Sequence, residues 1–147
     1  MTDYQDILNR LTAPSRELDA EICVALRYVP EVHDALFVHY SKVSGGIYTL
    51  SYMSEKSLGL NTRGYALCPF ITSSVDAALA LLEAKLPGWR VYDIMQKTRS
   101  WEVTLQKLGG DFKGEGFRGE ASTLPLAIIR AILRALVAVM VQEASHE

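Results

Sequence analysis

A chain of 147 residues, 49% of them hydrophobic, is long enough to bury one core and too short for two ordinary domains. Its 15 Lys and Arg against 17 Asp and Glu leave a net charge of -2, so no global positive field draws in long nucleic acid and a bound anion must be held locally. Cys23 and Cys68 have neither CxxC spacing nor histidines in ligand register, which argues against a disulfide scaffold or a zinc site and makes both small core residues.

The segment Met1–Asp6 is polar and acidic, without the apolar stretch of a secretory signal, so an intracellular protein is expected. Tyr4 to Leu11 reads as a short helix with Ile7, Leu8 and Leu11 on one face. Ser15 is placed to cap a second helix in which Leu18, Ile22, Ala25 and Leu26 keep the helical period until Pro30. Ala35 to Tyr40 and Ile47 to Met53 are rich in strand formers around Ser44-Gly45-Gly46, the pattern of a hairpin. Ser54 to Gly64 reads as a loop.

Ser73 is expected to cap a third helix, with Asp76 as a capping-box acid and Val75, Ala78, Leu79, Leu82 and Leu86 as its apolar stripe, ended by Pro87-Gly88. Trp89 to Gln96, Ser100 to Leu108 and Phe112 to Gly119 should form a meander with turns at Lys97 to Arg99 and Gly109-Gly110. The last helix, Leu124 to Glu143, is apolar nearly all round and must be buried on more than one side, either at a subunit interface or as a central core helix. It is long enough to cross a membrane, but Arg130 and Arg134 within it argue against that, since a central Arg costs roughly 2.5–3.5 kcal/mol on insertion scales.

The motifs of enzymes are missing: there is no Gly-x-Ser-x-Gly elbow, Walker loop, dinucleotide fingerprint or His-Glu-x-x-His. His33, His39 and His146 have no partner at useful spacing. Glu115 and Glu120 are a possible carboxylate pair on a glycine-rich strand, where solvated acids are the commoner case.

Anion binding is better served. The strand bearing Arg118 runs into the N-terminus of the last helix, where Ser122 and Thr123 add hydroxyls to free backbone N–H groups. The plain alternative, a capped helix beside an ordinary surface arginine, stays open. Four aromatics, Tyr28, Trp89, Trp101 and Phe117, sit near the basic residues Arg27, Arg90, Arg99 and Arg118 and offer faces on which a flat base can stack.

Three stretches, Ser15 to Leu26, Ile71 to Trp89 and Gly119 to Leu136, resemble in order and spacing the phage ABA-sandwich domain family, most specifically at Ser74-Val-Asp-Ala-Ala-Leu79 and Pro87-Gly-Trp89. Leu124, between Thr123 and Pro125, departs from the Thr-Pro expected there and moves the cap position onto Leu124. The resemblance implies one α+β domain over residues 1–147, an antiparallel sheet sandwiched between helices in α/β/α layers.

It extends to the group of Thoeris anti-defence sponges, which bind cyclic ADP-ribose signals, and in some cases cyclic oligonucleotides, in the cytoplasm of the infected host cell without cutting them. The implied protein is no enzyme and needs no cofactor or metal. Its partners would be a small cyclic nucleotide and further copies of itself as a dimer or higher oligomer, with no membrane and no long nucleic acid. The ligand-binding residues would be Arg27, Tyr28, Trp89, Arg90, Trp101, Phe117, Arg118, Ser122 and Thr123, with Arg118 as phosphate clamp. A small phage structural or protein-interaction module without a ligand is the alternative.

Overall fold

The computed structural model describes residues 4–30, 32, 35–55, 61–108 and 116–145. Helix α1 spans Tyr4–Arg10 and α2 spans Arg16–Leu26. Ser15 caps α2 as expected: its backbone is extended and its side chain accepts a hydrogen bond from the Leu18 N–H. At the other end Arg27 adopts φ 53°, the left-handed conformation that glycine usually supplies, and turns its N–H back to the carbonyls of Cys23 and Val24.

Strands β1 (Ala35–Val43), β2 (Ile47–Glu55) and β3 (Asn61–Leu67) form one antiparallel sheet in chain order. The first two are the expected hairpin. The third falls where a loop was expected, because its inward positions are Gly64 and Ala66 and show no apolar period. A Cβ on Gly64 would run into the outer end of the Tyr52 ring on the neighbouring strand, which would have to swing aside.

Helix α3 spans Val75–Lys85 and is capped by Ser74, not Ser73: the Ser74 side chain accepts from the Ala77 N–H, while the Ser73 N–H is spent in a turn onto the Phe70 carbonyl. The buried stripe is correspondingly Ala78, Leu81, Leu82 and Leu86, and Leu79 is exposed. A second antiparallel sheet follows, β4 (Trp89–Gln96), β5 (Trp101–Lys107) and β6 (Phe117–Ala121), the expected meander with its last strand running two residues past the expected end at Gly119. Gly109 to Glu115, including the proposed Glu115 partner of Glu120, lie outside the described residues, as do His33 and His146.

The fold is α+β with antiparallel strands, as expected, but the strands make two three-stranded sheets in place of one. Helix α2 packs on β1 and β2, α4 (Leu124–Ser145) packs on β5 and β6, and α1 touches both helices. Each sheet therefore carries a helix on one face, and the helices join the sheets. The apolar girth of α4 is used inside the chain: Leu126 to Ile129, Ala131 to Leu133 and Ala135 are fully buried against the second sheet on one side and α1 and α3 on the other. By length and mean hydropathy, 2.2, Leu124–Val141 would also suit a membrane span, and here it is the central helix. Only toward its end do Val137, Met140 and Val141 reach the surface.

A buried polar cluster pins α2 to the segment that leads into α3. Asp19, fully buried, takes the Arg16 guanidinium at 2.6 Å and the Thr72 N–H at 2.6 Å, while Arg16 also donates to the carbonyls of Cys68 and Pro69 and stacks 3.7 Å over the Phe70 ring. Burial lifts the Asp19 carboxyl above its ordinary range, and the bonds from Thr72 and Arg16 pull it part of the way back. Cys23 and Cys68 are buried free thiols, as expected.

Candidate anion site beside the last helix

Strand alternation separates the residues of β6. Phe117, Gly119 and Ala121 face α4; Arg118 and Glu120 face the other way. At Gly119 the strand lies so close to the helix that an added Cβ would collide with the Ala127 carbonyl oxygen and the Ala131 nitrogen and stand 2.9 Å from the Arg130 Cβ. The missing side chain thus presses β6 onto α4, and Phe117 is carried to a position beside Arg130 and Arg134.

Those three residues line a cavity of 410 Å³ together with Gln5, Leu8 and Asn9 of α1 and Val137 of α4. Its size is within the range of small-ligand sites. The two arginines are four residues apart, one helical turn, so both guanidinium groups reach the same side of α4. Arg130 donates from Nη2 to the Leu11 carbonyl at 2.8 Å, and Arg134 from Nη1 to the Arg118 carbonyl at 2.8 Å. The Arg130 Nε is buried with no partner. Among the described residues no carboxylate lies within ion-pair distance of either arginine, and burial followed by the charge of Arg134 pushes the Arg130 pKa down. Two like charges one helical turn apart with no described carboxylate between them are the electrostatic condition that an oxyanion relieves. Phe117 gives the cavity an aromatic wall, and Trp89 packs behind it with ring centroids 5.7 Å apart.

The residues singled out in the sequence are divided by this geometry. Phe117 lines the cavity, and Trp89 reaches only the back of its ring. Arg118 contributes its carbonyl to Arg134, but its side chain is 71% exposed on the opposite face, 4.0 Å from Glu102. That face also holds Glu120, which accepts from Ser100 and pairs with Lys97, so carboxylates surround Arg118. Arg90 is exposed on the same outer face, and Trp101 is half-buried against the core next to Ala121.

Helix α4 begins at Leu124, with the Thr123 carbonyl accepting from the Ala127 N–H, so Thr123 takes the cap position instead of Leu124. Its hydroxyl is buried without a hydrogen-bond partner, and Ser122 is exposed. The helix start is therefore separate from the cavity, which lies further along α4 at Arg130 to Val137.

Arg27 lines a different cavity, of 460 Å³, with Tyr4, Lys85 and the aliphatic side chains of α4, where the Lys85 ammonium donates to the Arg27 carbonyl at 3.3 Å. Tyr28 lines a third, of 950 Å³, where Glu83 is the only charged wall residue among the described residues, unsuited to an anion. Arg130 and Arg134 were missed as binding residues although they are visible as the two charges interrupting an apolar helix. Their spacing of four was the available signal. Among the described residues no group of three or more His, Cys, Asp or Glu is arranged to hold a metal ion. No family model, curated protein or solved structure matches this chain.

Proposed function

We propose that this protein captures a small cyclic nucleotide, a cyclic ADP-ribose isomer or a cyclic oligonucleotide, and holds it intact, as a phage sponge acting in the host cytoplasm against a nucleotide-signalled defence. The family resemblance supplies the ligand class. The observation that carries a phosphate-bearing ligand is the arginine pair of α4, whose side chains line one cavity together with the aromatic Phe117. In this reading Arg130 and Arg134 grip phosphate oxygens and Phe117 packs against the base or ribose, with Gln5 and Asn9 at the rim. Retention without cleavage needs tight non-covalent contacts and no nucleophile.

The test is titration calorimetry of the purified chain with cyclic ADP-ribose isomers and cyclic dinucleotides, followed by heat release and chromatography of the ligand. Intact ligand recovered from the wild type, and lost from Arg134→Ala, supports capture. Cleaved ligand makes the protein an enzyme, and absence of heat with every nucleotide leaves the second reading. That reading, a phage protein-interaction module without a ligand, is favoured by the outer face of the first sheet, which no described helix or strand covers and where Tyr65 and Leu67 are exposed.

A further inference from the structure

All four helices contribute to a second basic cavity, the one of 460 Å³ beside the end of α2. Tyr4 opens α1, Arg27 caps α2, Lys85 ends α3, and Leu136, Val139 and Met140 lie on one face of α4 at helical spacing. None of these lines the cavity of Arg130 and Arg134, which opens on a different face of the same helix. The two sites therefore stand or fall separately.

Arg27 is set apart by its backbone. Among the described residues it is the one non-glycine with a positive φ, in a conformation that glycine enters freely. Its N–H closes the cap, but among the described residues its guanidinium has no hydrogen bond or ion pair, so nothing within the fold asks for arginine there. Backbone outliers of this kind cluster at ligand clamps and other functional sites.

Lys85 stands beside it. Its ammonium donates to the Arg27 carbonyl at 3.3 Å, which uses one of three N–H groups. Burial, and then the charge of Arg27, pushes the Lys85 pKa below the ordinary lysine value, while burial raises that of Tyr4 and keeps the phenol a neutral donor. Two cations and a phenol thus share one cavity, and among the described residues no carboxylate lies within ion-pair distance of either cation. The rest of the wall, from Ala25 and Leu26 to the face of α4, is aliphatic.

We propose that this cavity binds a free anionic amphiphile, a carboxylate with a medium-length hydrocarbon chain, its head held between Arg27 and Lys85 and its chain laid along Leu136, Val139 and Met140. The cavity volume lies in the range of small-ligand sites. Its α4 wall covers about 6 Å of helix axis, enough for a medium chain and too short for a long one. The lining also sets the class. Apart from Tyr4 it offers no hydroxyl or amide side chain, so a ribose or base would be buried with its polar groups unpaired, whereas a hydrocarbon gains by leaving water.

Calorimetric titration of the full chain with octanoate tests the site, against 1-octanol, which keeps the tail, and acetate, which keeps the head. Saturable binding of octanoate, at least about tenfold tighter than either, is expected. Arg27→Gly suits the backbone it replaces, and Lys85→Gln removes only the charge and one bond length of reach. Each should weaken octanoate about tenfold, while Arg63→Ala on β3 should leave it within about twofold. The methyl signal of Met140, assigned with Met140→Leu, should shift when octanoate is added to the wild type. Flotation with phosphatidylglycerol vesicles separates a free acid from a membrane lipid. Absence of octanoate binding, equal affinity for octanol, binding that survives both charge substitutions, a Met140 signal that does not move, or attachment to vesicles without octanoate binding each overturns the proposal.

Discussion

Gly119→Ala is the most demanding test of how the second sheet meets α4. The added methyl group would overlap two backbone atoms of the helix, the Ala127 oxygen and the Ala131 nitrogen, and crowd the Arg130 Cβ at 2.9 Å. None of these is the free end of a flexible side chain. Helix α4 cannot retreat, because its far side is packed on α1 and α3, so β6 must lift away and loosen the contacts of Phe117 and Ala121. Overpacking of this kind costs about 1–3 kcal/mol, and for a chain of this size each kcal/mol lowers Tm by about 3 °C. A fall of about 3–9 °C is therefore expected by calorimetry, with a matching drop in the urea midpoint. Gly45→Ala is the control: it sits in the hairpin turn at φ 86° with open space around it, so its cost is backbone strain alone, about 1 kcal/mol. An unchanged midpoint for Gly119→Ala would refute the close approach, and with it the placement of Phe117 beside the arginines.

Arg134→Ala should weaken nucleotide binding about tenfold or more, as expected for one lost charge-assisted bond, whereas Arg118→Ala should leave affinity within about twofold; calorimetric titration of both variants with one ligand decides between them, and the reverse order would return the phosphate to Arg118. Asp19 has a folded pKa raised above its unfolded value, so its proton is held more firmly in the folded state, and its contribution to stability falls as pH rises through that window, starting near 3.8. Asp19→Asn, neutral throughout, should gain on the wild type as pH is raised from about 3.5 to 6 in urea denaturation; an opposite slope means that Arg16 and Thr72 outweigh burial. Arg27→Gly should be neutral or stabilising by up to about 1 kcal/mol, because glycine enters the left-handed region freely. A loss of more than 1 kcal/mol would give the Arg27 side chain a packing role that its cap position does not explain.

Much of the local structure was legible because it is written in short-range chemistry. Ser15 before an apolar period, Ser44-Gly45-Gly46 between two runs of strand formers, and Pro87-Gly88 after Leu86 each punctuate the chain over a few residues. Elements were misread where the signal was weak at that range. β3 hid because Gly64 and Ala66 are small where they face inward, and the α3 cap slipped by one because Ser73 and Ser74 are both suited to the role. The site was harder. Arg118 looked like the phosphate residue because it precedes a helix start, yet the two-residue alternation of a strand turned it to the far face, and Gly119 next to it made the contact with α4.

The helices, most of the strands, the α+β class and the burial of α4 on more than one side can be read from the sequence alone. These follow from periodicity and turn residues, which act through neighbours along the chain. Packing alone settles that the strands divide into two sheets, that Arg130 and Arg134 flank a cavity with Phe117, and that no described helix or strand covers the outer face of the first sheet. Each depends on which face of one element meets which face of another. That is set by packing between residues far apart in sequence, such as Gly119 against Ala127 and Ala131 or Arg130 against Leu11, and no local pattern records it.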